Sequence, residues 1–275
     1  MTTGVSGGKK RDLRSKAYTP EYLGRALVSQ ANWHPFPKAS ERKSWDDLPQ
    51  ALKKAYIGRG EQALEYQWPD LTATLYLSYV RKGIRTEYDR PYHERRQKLQ
   101  SLVLAECMEG KGRFLDKIAE GIWLLSEESS WVVPAHLGAL QSAPGLPDLS
   151  SPVVDLYCGE TANLLAWTYY LLGEELSKVS PLLPERIRHE LRTRLLAPTM
   201  ERDDFWWMWT PEKEQVGRAI NNWTPWICSN WLATVLLVEE NDDARQLTVS
   251  RIAIILDRFI NSYPDDGGVD EGPNY

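Results

Sequence analysis

The sequence lacks the marks of a disulfide-stabilised or membrane-embedded protein. Its three cysteines, Cys107, Cys158 and Cys228, are odd in number and widely spaced, so neither a disulfide framework nor a zinc site has support. Each cysteine lies in an apolar, helix-like context and is expected to be a buried thiol. The longest apolar runs, such as Leu232–Val238, fall far short of the ~20 residues that a membrane-spanning helix needs. The sequence therefore predicts no transmembrane helix.

An excess of positive charge is also missing, because 33 Lys and Arg residues face 38 Asp and Glu residues and leave a net charge of −5. Such a chain has no overall attraction for nucleic acids or anionic membranes, and neither is predicted as a partner. No apolar segment follows the Gly-, Ser- and Lys-rich stretch Met1–Lys10, so no secretory signal peptide is predicted. We expect a cytoplasmic protein, or a secreted or periplasmic one if a leader has been removed. No cluster of metal-ligand residues stands out, and no cofactor is expected.

Over most of the sequence, apolar residues recur with the periodicity of an α-helix. No alternation of apolar and polar residues indicates strands, and the chain is predicted to be all-α. Several predicted helices end at a glycine, notably Gly83, Gly110 and Gly173. Residues 1–17 are predicted to be a disordered lead and residues 18–275 a single domain. The predicted helices are Thr19–Ser29, Ser44–Ala63, Pro69–Lys82, Glu87–Glu109, Arg113–Ser126, Pro152–Leu172, Pro184–Leu196, Trp223–Glu239 and Asp242–Tyr263.

Tryptophan is the outlier of the composition, with twelve residues in the chain. Large indole rings are costly to hide completely, and their flat faces pack well on the C–H faces of sugars. Bulky rings also fill the wide gaps between helices. We expect most of the tryptophans to pack the core and roughly a third of them to line a cleft.

The predicted helices recur at roughly 20–25 residues and their pairs at roughly 40–50, the rhythm of stacked helical hairpins. Such hairpins form either an open solenoid or a toroid, and periodicity does not choose between them. Two long loops interrupt the rhythm, Ser126–Ser151 and Met200–Trp223. Both contain tryptophan, and long loops in a helical scaffold are usually functional or specifically packed. If alternate helix ends face one way, these loops and the C-terminal segment meet at one edge, where we expect a site.

Three segments carry the candidate chemistry. His136 follows the loop ESSWVVPAH, and a histidine can hold positive charge beside a substrate carboxylate. Asn221 and Asn222 precede a tryptophan-led helix; one is expected to cap it, and the other to offer an amide donor to a carboxylate. The segment YPDDGGVDEGPNY forms tight turns that hold Glu271 and Tyr275 after a helix. The other three histidines are expected at the surface: His34, His93 and His189.

Together these segments resemble the heparinase II/III-like polysaccharide lyases. The resemblance rests on ESSWVVPAH, on VDLYCGETANLLAW followed by LGEEL, on RAINNWTPWICSNWL and on YPDDGGVDEGPNY, in that order, and covers about residues 120–275. Its strongest element is the Asn-Asn-Trp helix start followed by the DGG-x-x-EG-x-x-Tyr loop. It implies an incomplete (α/α) toroid followed by β-sandwich layers beyond Tyr275. It also implies cleavage of an acidic, uronic-acid-containing polysaccharide by β-elimination.

The same resemblance implies roles for individual residues. Tyr275 matches the catalytic tyrosine, Asn222 matches the position that neutralises the uronate carboxylate, and His136 lines the same cleft. Arg218 is a candidate for lowering the pKa of the tyrosine. Because the β region supplies a further catalytic histidine in such lyases, the segment ending at Tyr275 is expected to have little activity alone. Substrate contacts are expected from Trp131, Asn221, Trp223, Trp226, Arg218, Trp207 and Glu271.

Two alternatives stay open at the level of the sequence. α/α toroids also host glycosidases that use two carboxylates. A second alternative is a non-catalytic glycan-binding or protein-interaction solenoid, whose binding would depend on tryptophans such as Trp206, Trp207 or Trp209 rather than on Tyr275. The acids that a glycosidase could use are Glu127, Glu128, Asp265, Asp266, Asp270 and Glu271.

Overall fold

The computed structural model describes residues 10–141, 145–210, 220–263 and 265–268. Within these ranges every regular element is helical and no strand forms, which confirms the all-α prediction. A π-helical segment, Arg192–Leu196, joins two of the helices without a break, and short 3₁₀ turns span Gln30–Asn32 and Trp206–Met208. The α-helices are α1 (Leu13–Ala17), α2 (Pro20–Ala26), α3 (Arg42–Asp46), α4 (Gln50–Leu64), α5 (Ala73–Tyr76), α6 (Ser78–Lys82), α7 (Thr86–Glu109), α8 (Leu115–Glu127), α9 (Pro134–Leu137), α10 (Leu156–Val179), α11 (Leu182–Leu191), α12 (Ala197–Glu201), α13 (Trp223–Val238) and α14 (Asp242–Ser262).

The ends of the long helices follow from the local sequence. α10 begins after Asp155, whose Oδ1 accepts the Cys158 backbone N–H at 2.7 Å, and α14 begins in the same way after Asn241. Such side-chain caps satisfy N–H groups that have no partner inside the helix. Gly83 and Gly110 end α6 and α7 in the left-handed conformation, with φ of 72° and 67°, as predicted.

Several predicted boundaries are wrong. The helix predicted over Ser44–Ala63 is divided into α3 and α4, and the one predicted over Pro69–Lys82 into α5 and α6. α10 does not stop at Gly173 but continues to Val179, because Leu176 extends the buried face of the helix by a further turn. The helix predicted over Pro184–Leu196 begins at Leu182 and runs through the π-helical segment into α12.

Four helices, α4, α7, α10 and α13, pack side by side in that order. A second layer packs against them, with α8 against α7, α11 against α10 and α14 against α13. Tyr92 of α7 bonds Thr161 of α10, and Asn163 of α10 bonds Asn230 of α13. Tyr92 also reaches Tyr157 O, whereas Arg96, one turn later, reaches Thr161. Glu160 likewise accepts from Trp226, one turn before the Asn163–Asn230 bond. Because residue numbers rise together along each pair, α7, α10 and α13 run parallel. We call the edge formed by their starts the rim, and the edge formed by their ends the floor.

Residues 10–46 form a strap that runs along α14 and then crosses the floor. The predicted disordered lead 1–17 is therefore wrong for residues 10–17, because the Asp257 carboxylate accepts the backbone N–H groups of Arg14 and Ser15 and holds α1 on α14. Residues 1–9 lie outside the described residues. Hydrogen bonds tie the strap in turn to α14, α13, α10 and α7: Arg14 to Asp257, Gln30 to Leu237, Ala39 to Leu171 and Arg42 to Cys107.

The core contains the cysteines and many of the tryptophans. The three cysteines are buried free thiols, as predicted, and burial raises the pKa of Cys107 and of Cys228 to about 12. Trp123 and Trp226 are the two exposed tryptophans, and five more are partly buried. The buried tryptophans are Trp45, Trp131, Trp206, Trp207 and Trp231.

Candidate functional site

The loop that follows α12 and contains Trp206, Trp207 and Trp209 holds the starts of α10 and α13 side by side. Trp207 donates its indole N–H to Val154 O at 2.9 Å, just before α10. The Trp207 carbonyl accepts the hydroxyl of Thr224, in the first turn of α13, at 2.6 Å. Trp207 is fully buried and stacks on Phe205. The loop therefore sets the spacing between the two helix starts at the rim.

A second loop carries His136 to the same place. Two buried tyrosines donate hydroxyl hydrogen bonds to its backbone: Tyr76 to Val132 O at 2.8 Å and Tyr92 to Trp131 O at 2.7 Å. Burial raises the pKa of both phenols, so both remain protonated donors at neutral pH. The short helix α9 follows at once and presents the histidine at the rim.

His136 is paired with a buried carboxylate. Its Nδ1 lies 2.7 Å from Asp155 Oδ2, and the side chain of Asp155 is 0% exposed while that of His136 is 13% exposed. The other carboxylate oxygen caps α10, which fixes the orientation of the carboxylate. Because a carboxylate only accepts hydrogen bonds, Nδ1 carries the proton and Nε2 is the acceptor of the neutral ring. Such a pair suits an imidazole to proton transfer or, once protonated, to binding an anion.

A row of five aromatic rings runs along the rim through His136. Tyr157 stacks on the imidazole, with centroids 5.2 Å apart and planes 5° apart, and Trp223 packs against it at 4.7 Å. His93 of α7 meets Tyr157 edge-on at 4.6 Å. Trp206 packs against Trp223 at 4.8 Å. The row joins α7, α9, α10 and α13 and offers flat apolar surface beside titratable groups.

Burial shifts the pKa of several groups at the rim. Burial and the nearby Arg96 lower the pKa of His93, which is therefore neutral at pH 7. Burial raises the pKa of Tyr157, which makes it a proton donor rather than a phenolate base. Burial also raises the pKa of Glu160, which accepts the Trp226 indole N–H at 3.0 Å. Half-buried groups with shifted pKa values are typical of functional sites.

A buried ion network supports the rim from below. Glu128, with a side chain 3% exposed, accepts from Arg95 at 3.1 Å and from Arg96 at 2.6 Å. Arg96 also donates to Thr161 Oγ1 at 2.7 Å and lies over the ring of Tyr92. The network joins the loop that carries His136 to α7 and α10.

The structure brings several of the predicted site residues to the rim. Asn222 is the residue before α13, and its side chain makes no capping bond to that helix. Asn221 instead accepts the Trp223 backbone N–H at 3.1 Å. Asn221 therefore takes the helix-start role expected of one of the pair. Trp226 is 40% exposed, on the next turn of α13.

Two of the predicted substrate contacts, Trp131 and Trp207, are wrong, because both side chains are buried. Trp131 and Trp207 are 1% and 0% exposed, and their indole N–H groups donate to Leu125 O and Val154 O. They position the two loops of the rim and present no open ring face to a ligand. Three further predicted residues lie outside the described residues: Tyr275, Arg218 and Glu271.

Asp155, Tyr157 and His93 lie at the rim but are not among the site residues predicted from the sequence. Asp155 and Tyr157 lie within the motif VDLYCGETANLLAW, and an aspartate before an apolar helix start is a recognisable capping signal. The surface prediction for His93 is wrong, because its ring is half-buried between α7 and Tyr157. Its polar sequence neighbours carry no signal of that packing. The surface prediction is confirmed for His34 and His189, which are exposed.

Among the described residues, no group of three or more His, Cys, Asp and Glu side chains is arranged to hold a metal ion. No helix in the same ranges is both long and apolar enough to cross a membrane. In comparisons with known proteins, neither a family model nor a curated protein matches the chain. The chemistry of the rim itself, an imidazole–carboxylate pair with an amide and aromatic faces, therefore carries the functional argument.

Proposed function

We propose that this chain is the toroid portion of a polysaccharide lyase of the heparinase II/III-like type, which its motifs resemble. The observation that carries the proposal is the cluster at the rim: His136 is held by Asp155 between Tyr157 and Trp223, and Asn222 directly precedes Trp223. An amide, an imidazole and flat rings are groups that bind a sugar ring and polarise its carboxylate. The proposed substrate is an acidic polysaccharide that contains uronic acid.

The packing of the helices supports an incomplete (α/α) toroid. The row α4, α7, α10 and α13, with α8, α11 and α14 packed against it, is the arrangement that stacked helical hairpins adopt around a concave face. The parallel starts of α10 and α13 direct the positive ends of two helix dipoles towards the rim, which favours an anionic ligand there.

β-Elimination breaks the bond between C4 and O4 of a uronate residue. The C5 proton is weakly acidic until the adjacent carboxylate is neutralised, so a donor must stabilise the charge that develops as the proton leaves. In the proposed mechanism Asn222 donates to that carboxylate, and His136 assists as an imidazolium held by Asp155. A base removes the C5 proton, the electron pair forms the C4=C5 double bond, and O4 departs with a proton from an acid.

Tyr275 is the proposed base and then acid, on the strength of the motif that contains it. A phenol must fall below its reference pKa of ~10 to act as a base at neutral pH, and Arg218 is the proposed source of that shift. Tyr157 is a poor alternative base, because burial raises its pKa. Its protonated hydroxyl suits it to donating a hydrogen bond to substrate.

A hydrolase with paired carboxylates has weaker support. Glu128 is fully engaged by two arginines, Glu127 is exposed, and Asp265 pairs with Arg11 of the strap at 2.7 Å. Glu160 is the half-buried acid at the rim whose raised pKa would suit a general acid. Asp266 is exposed and accepts the Gly268 backbone N–H at 2.9 Å. The last two candidates, Asp270 and Glu271, lie outside the described residues.

The test is to incubate the full-length protein with a panel of uronate polymers and to record two signals: the ultraviolet absorbance of the C4=C5 double bond and the release of reducing ends. Tyr275→Phe is expected to lower the rate of double-bond formation by roughly 10²–10⁴-fold. Asn222→Ala is expected to lower it by roughly 10²–10³-fold. The matched control is Tyr22→Phe, at an exposed tyrosine of α2, which should leave the rate unchanged.

The alternatives give different outcomes. Reducing ends without a double bond, lost in Glu160→Gln but kept in Tyr275→Phe, would establish a hydrolase and refute the lyase. Polymer binding without turnover that survives both Asn222→Ala and His136→Ala would establish an interaction module. The tryptophans on which such a module was expected to depend include Trp206 and Trp207, which are 8% and 0% exposed.

A further inference from the structure

The end of α14 lies at the rim and leads into the motif that contains Tyr275. α14 returns from the floor, because only three residues separate it from α13 and so short a connection joins antiparallel helices. Arg258, near its end, donates to Met208 O at 2.7 Å, in the loop that follows α12. The motif DGG-x-x-EG-x-x-Tyr begins at Asp266, four residues after α14 and nine before Tyr275. The direction in which the chain leaves α14 therefore sets where this motif starts.

The start of the strap binds the last turns of α14 through specific side chains. Asn261 Oδ1 accepts the backbone N–H groups of Arg11 and Asp12 at 2.8 and 3.3 Å, and Asn261 Nδ2 donates to Asp12 Oδ1 at 2.8 Å. One turn earlier, the buried Asp257 accepts the N–H and the hydroxyl of Ser15. Asp12 is left-handed, with φ of 45°, a conformation that most side chains disfavour. The reciprocal bonds with Asn261 hold it there.

The guanidinium of Arg11 joins the end of α14 to the turn that follows it. Arg11 Nη2 donates to Tyr263 O at 3.0 Å and to Asp265 Oδ1 at 2.7 Å, and Tyr263 directly follows the helix. A cationic donor at this position also interacts favourably with the negative end of the helix dipole. Because the Asp265 side chain is 97% exposed while that of Arg11 is 29% exposed, the bond to the carbonyl is expected to contribute more than the ion pair.

The turn Asp265–Gly268 fixes its own shape but not its direction. Gly267 is left-handed, with φ of 74°, which glycine adopts without a steric penalty. Asp266 Oδ1 accepts the Gly268 N–H at 2.9 Å, so this contact also lies within the turn. Between described residues, the one hydrogen bond that joins the turn to another part of the chain comes from Arg11. The first residues of the strap therefore hold the turn in place at the rim.

We propose that the strap anchors the end of α14 and that Arg11 is thereby a positioning residue for Tyr275, the proposed base. The proposal rests on the proposed function, because it concerns the placement of the same tyrosine. The role of Arg11 is to fix the point from which the motif departs, not to contact the substrate. A displacement of about 1 Å can lower a rate roughly 10²-fold. A loosened anchor therefore slows elimination and leaves substrate binding largely intact.

The first test measures amide hydrogen exchange in the last turn of α14, Arg258–Ser262, in the full-length protein. Arg11→Ala and Asn261→Ala each remove part of the anchor and should speed exchange there roughly fivefold, the loss of about one hydrogen bond. Arg11→Lys keeps a cationic donor and should restore slow exchange. The matched control is Arg14→Ala, at an exposed arginine of α1 whose backbone, not its side chain, bonds Asp257; it should change nothing.

The second test measures kcat and KM for formation of the C4=C5 double bond by the same variants. Arg11→Ala should lower kcat roughly tenfold and change KM by less than about twofold, the pattern of a misplaced reacting group. Arg11→Lys should restore most of kcat, and Arg14→Ala should match the natural protein.

Two results would overturn the proposal: exchange that neither Arg11→Ala nor Asn261→Ala speeds, or faster exchange with an unchanged kcat. Far-ultraviolet circular dichroism establishes that each variant is folded. The two substitutions alter opposite sides of the contact, so one decides the matter if the other does not fold. The exchange measurement does not depend on elimination. A natural protein that forms no unsaturated product contradicts the lyase and, with it, the positioning role of Arg11; exchange then decides whether the anchor exists.

Discussion

At the floor, the strap covers carbonyl groups of α7 and α10, with Arg42 donating to Cys107 O and Met108 O and Ala39 donating to Leu171 O. At the rim, the same two helices meet instead through side chains, which come from α7, α9, α10 and α13. The floor contacts use backbone acceptors and one arginine, whose charge does not change over the accessible pH range. The rim contacts include imidazole and carboxylate groups, whose charges do.

The floor therefore holds the helices together, whereas the rim carries the side chains that can exchange protons. A protein that places half-buried titratable groups at one edge gives up stability there, because desolvation opposes their charged forms. The ion network beneath the rim compensates by linking the loop of His136 to two helices. The floor needs no such device, since each of its bonds satisfies a helix-end carbonyl or a backbone N–H.

The largest expected effect comes from breaking the network beneath the rim. Glu128→Gln keeps the size of the side chain but leaves Arg95 and Arg96 buried without their counter-charge. Removing one partner of a buried ion pair typically costs about 3–5 kcal/mol of the free energy of unfolding. Urea denaturation followed by circular dichroism measures the loss. The matched control is Glu127→Gln, the exposed neighbour, which should be nearly neutral; equal effects of the two substitutions would refute the supporting role of the network.

A smaller effect is expected at the floor. Arg42→Ala removes the donor to Cys107 O and Met108 O, but the Arg42 side chain is 30% exposed and water can replace part of what is lost. The free energy of unfolding should fall by about 1–2 kcal/mol. Lys43→Ala, whose side chain is 86% exposed and pairs with Asp47, should show no measurable change. A loss at Arg42 as large as that at Glu128 would remove the contrast between the two edges.

Many of the helix starts and ends were predictable from the sequence, because they depend on local signals. Gly83 and Gly110 end helices where expected, and α13 begins at Trp223 after its two asparagines. The strap was not predictable, since Asp257 captures the backbone of Arg14 across more than two hundred residues of chain. No local pattern reports such a bond.

The candidate site was predictable only in part, for a similar physical reason. His136 stands out because its loop breaks a helical rhythm, but its partner Asp155 is defined by tertiary packing as much as by its capping signal. Trp131 and Trp207 look the same in sequence as Trp223, yet the first two donate to backbone carbonyls in the core. Tryptophan composition thus predicts rings near the rim without telling which of them a ligand can reach.

The smallest expected effect is the dependence of the rim on pH through His93. Burial and Arg96 together lower the pKa of His93 below the ordinary value of a histidine, and the nearby Asp89 only partly opposes them. The unfolded chain therefore binds this proton more readily than the folded protein does. The contribution of His93 to stability is lost as pH falls below 6.5.

Urea titrations at a series of pH values, compared between the natural chain and His93→Gln, isolate this contribution from every other titrating group. The natural chain should lose more stability than the variant between neutral and mildly acidic pH, whereas His189→Gln, at an exposed histidine of α11, should follow the natural chain. A His93→Gln curve parallel to that of the natural chain would mean that the rim titrates no more readily than the floor. Because the floor holds no comparable imidazole among its described contacts, a difference between the curves would place the pH-sensitive part of the fold at the edge where the proposed chemistry occurs.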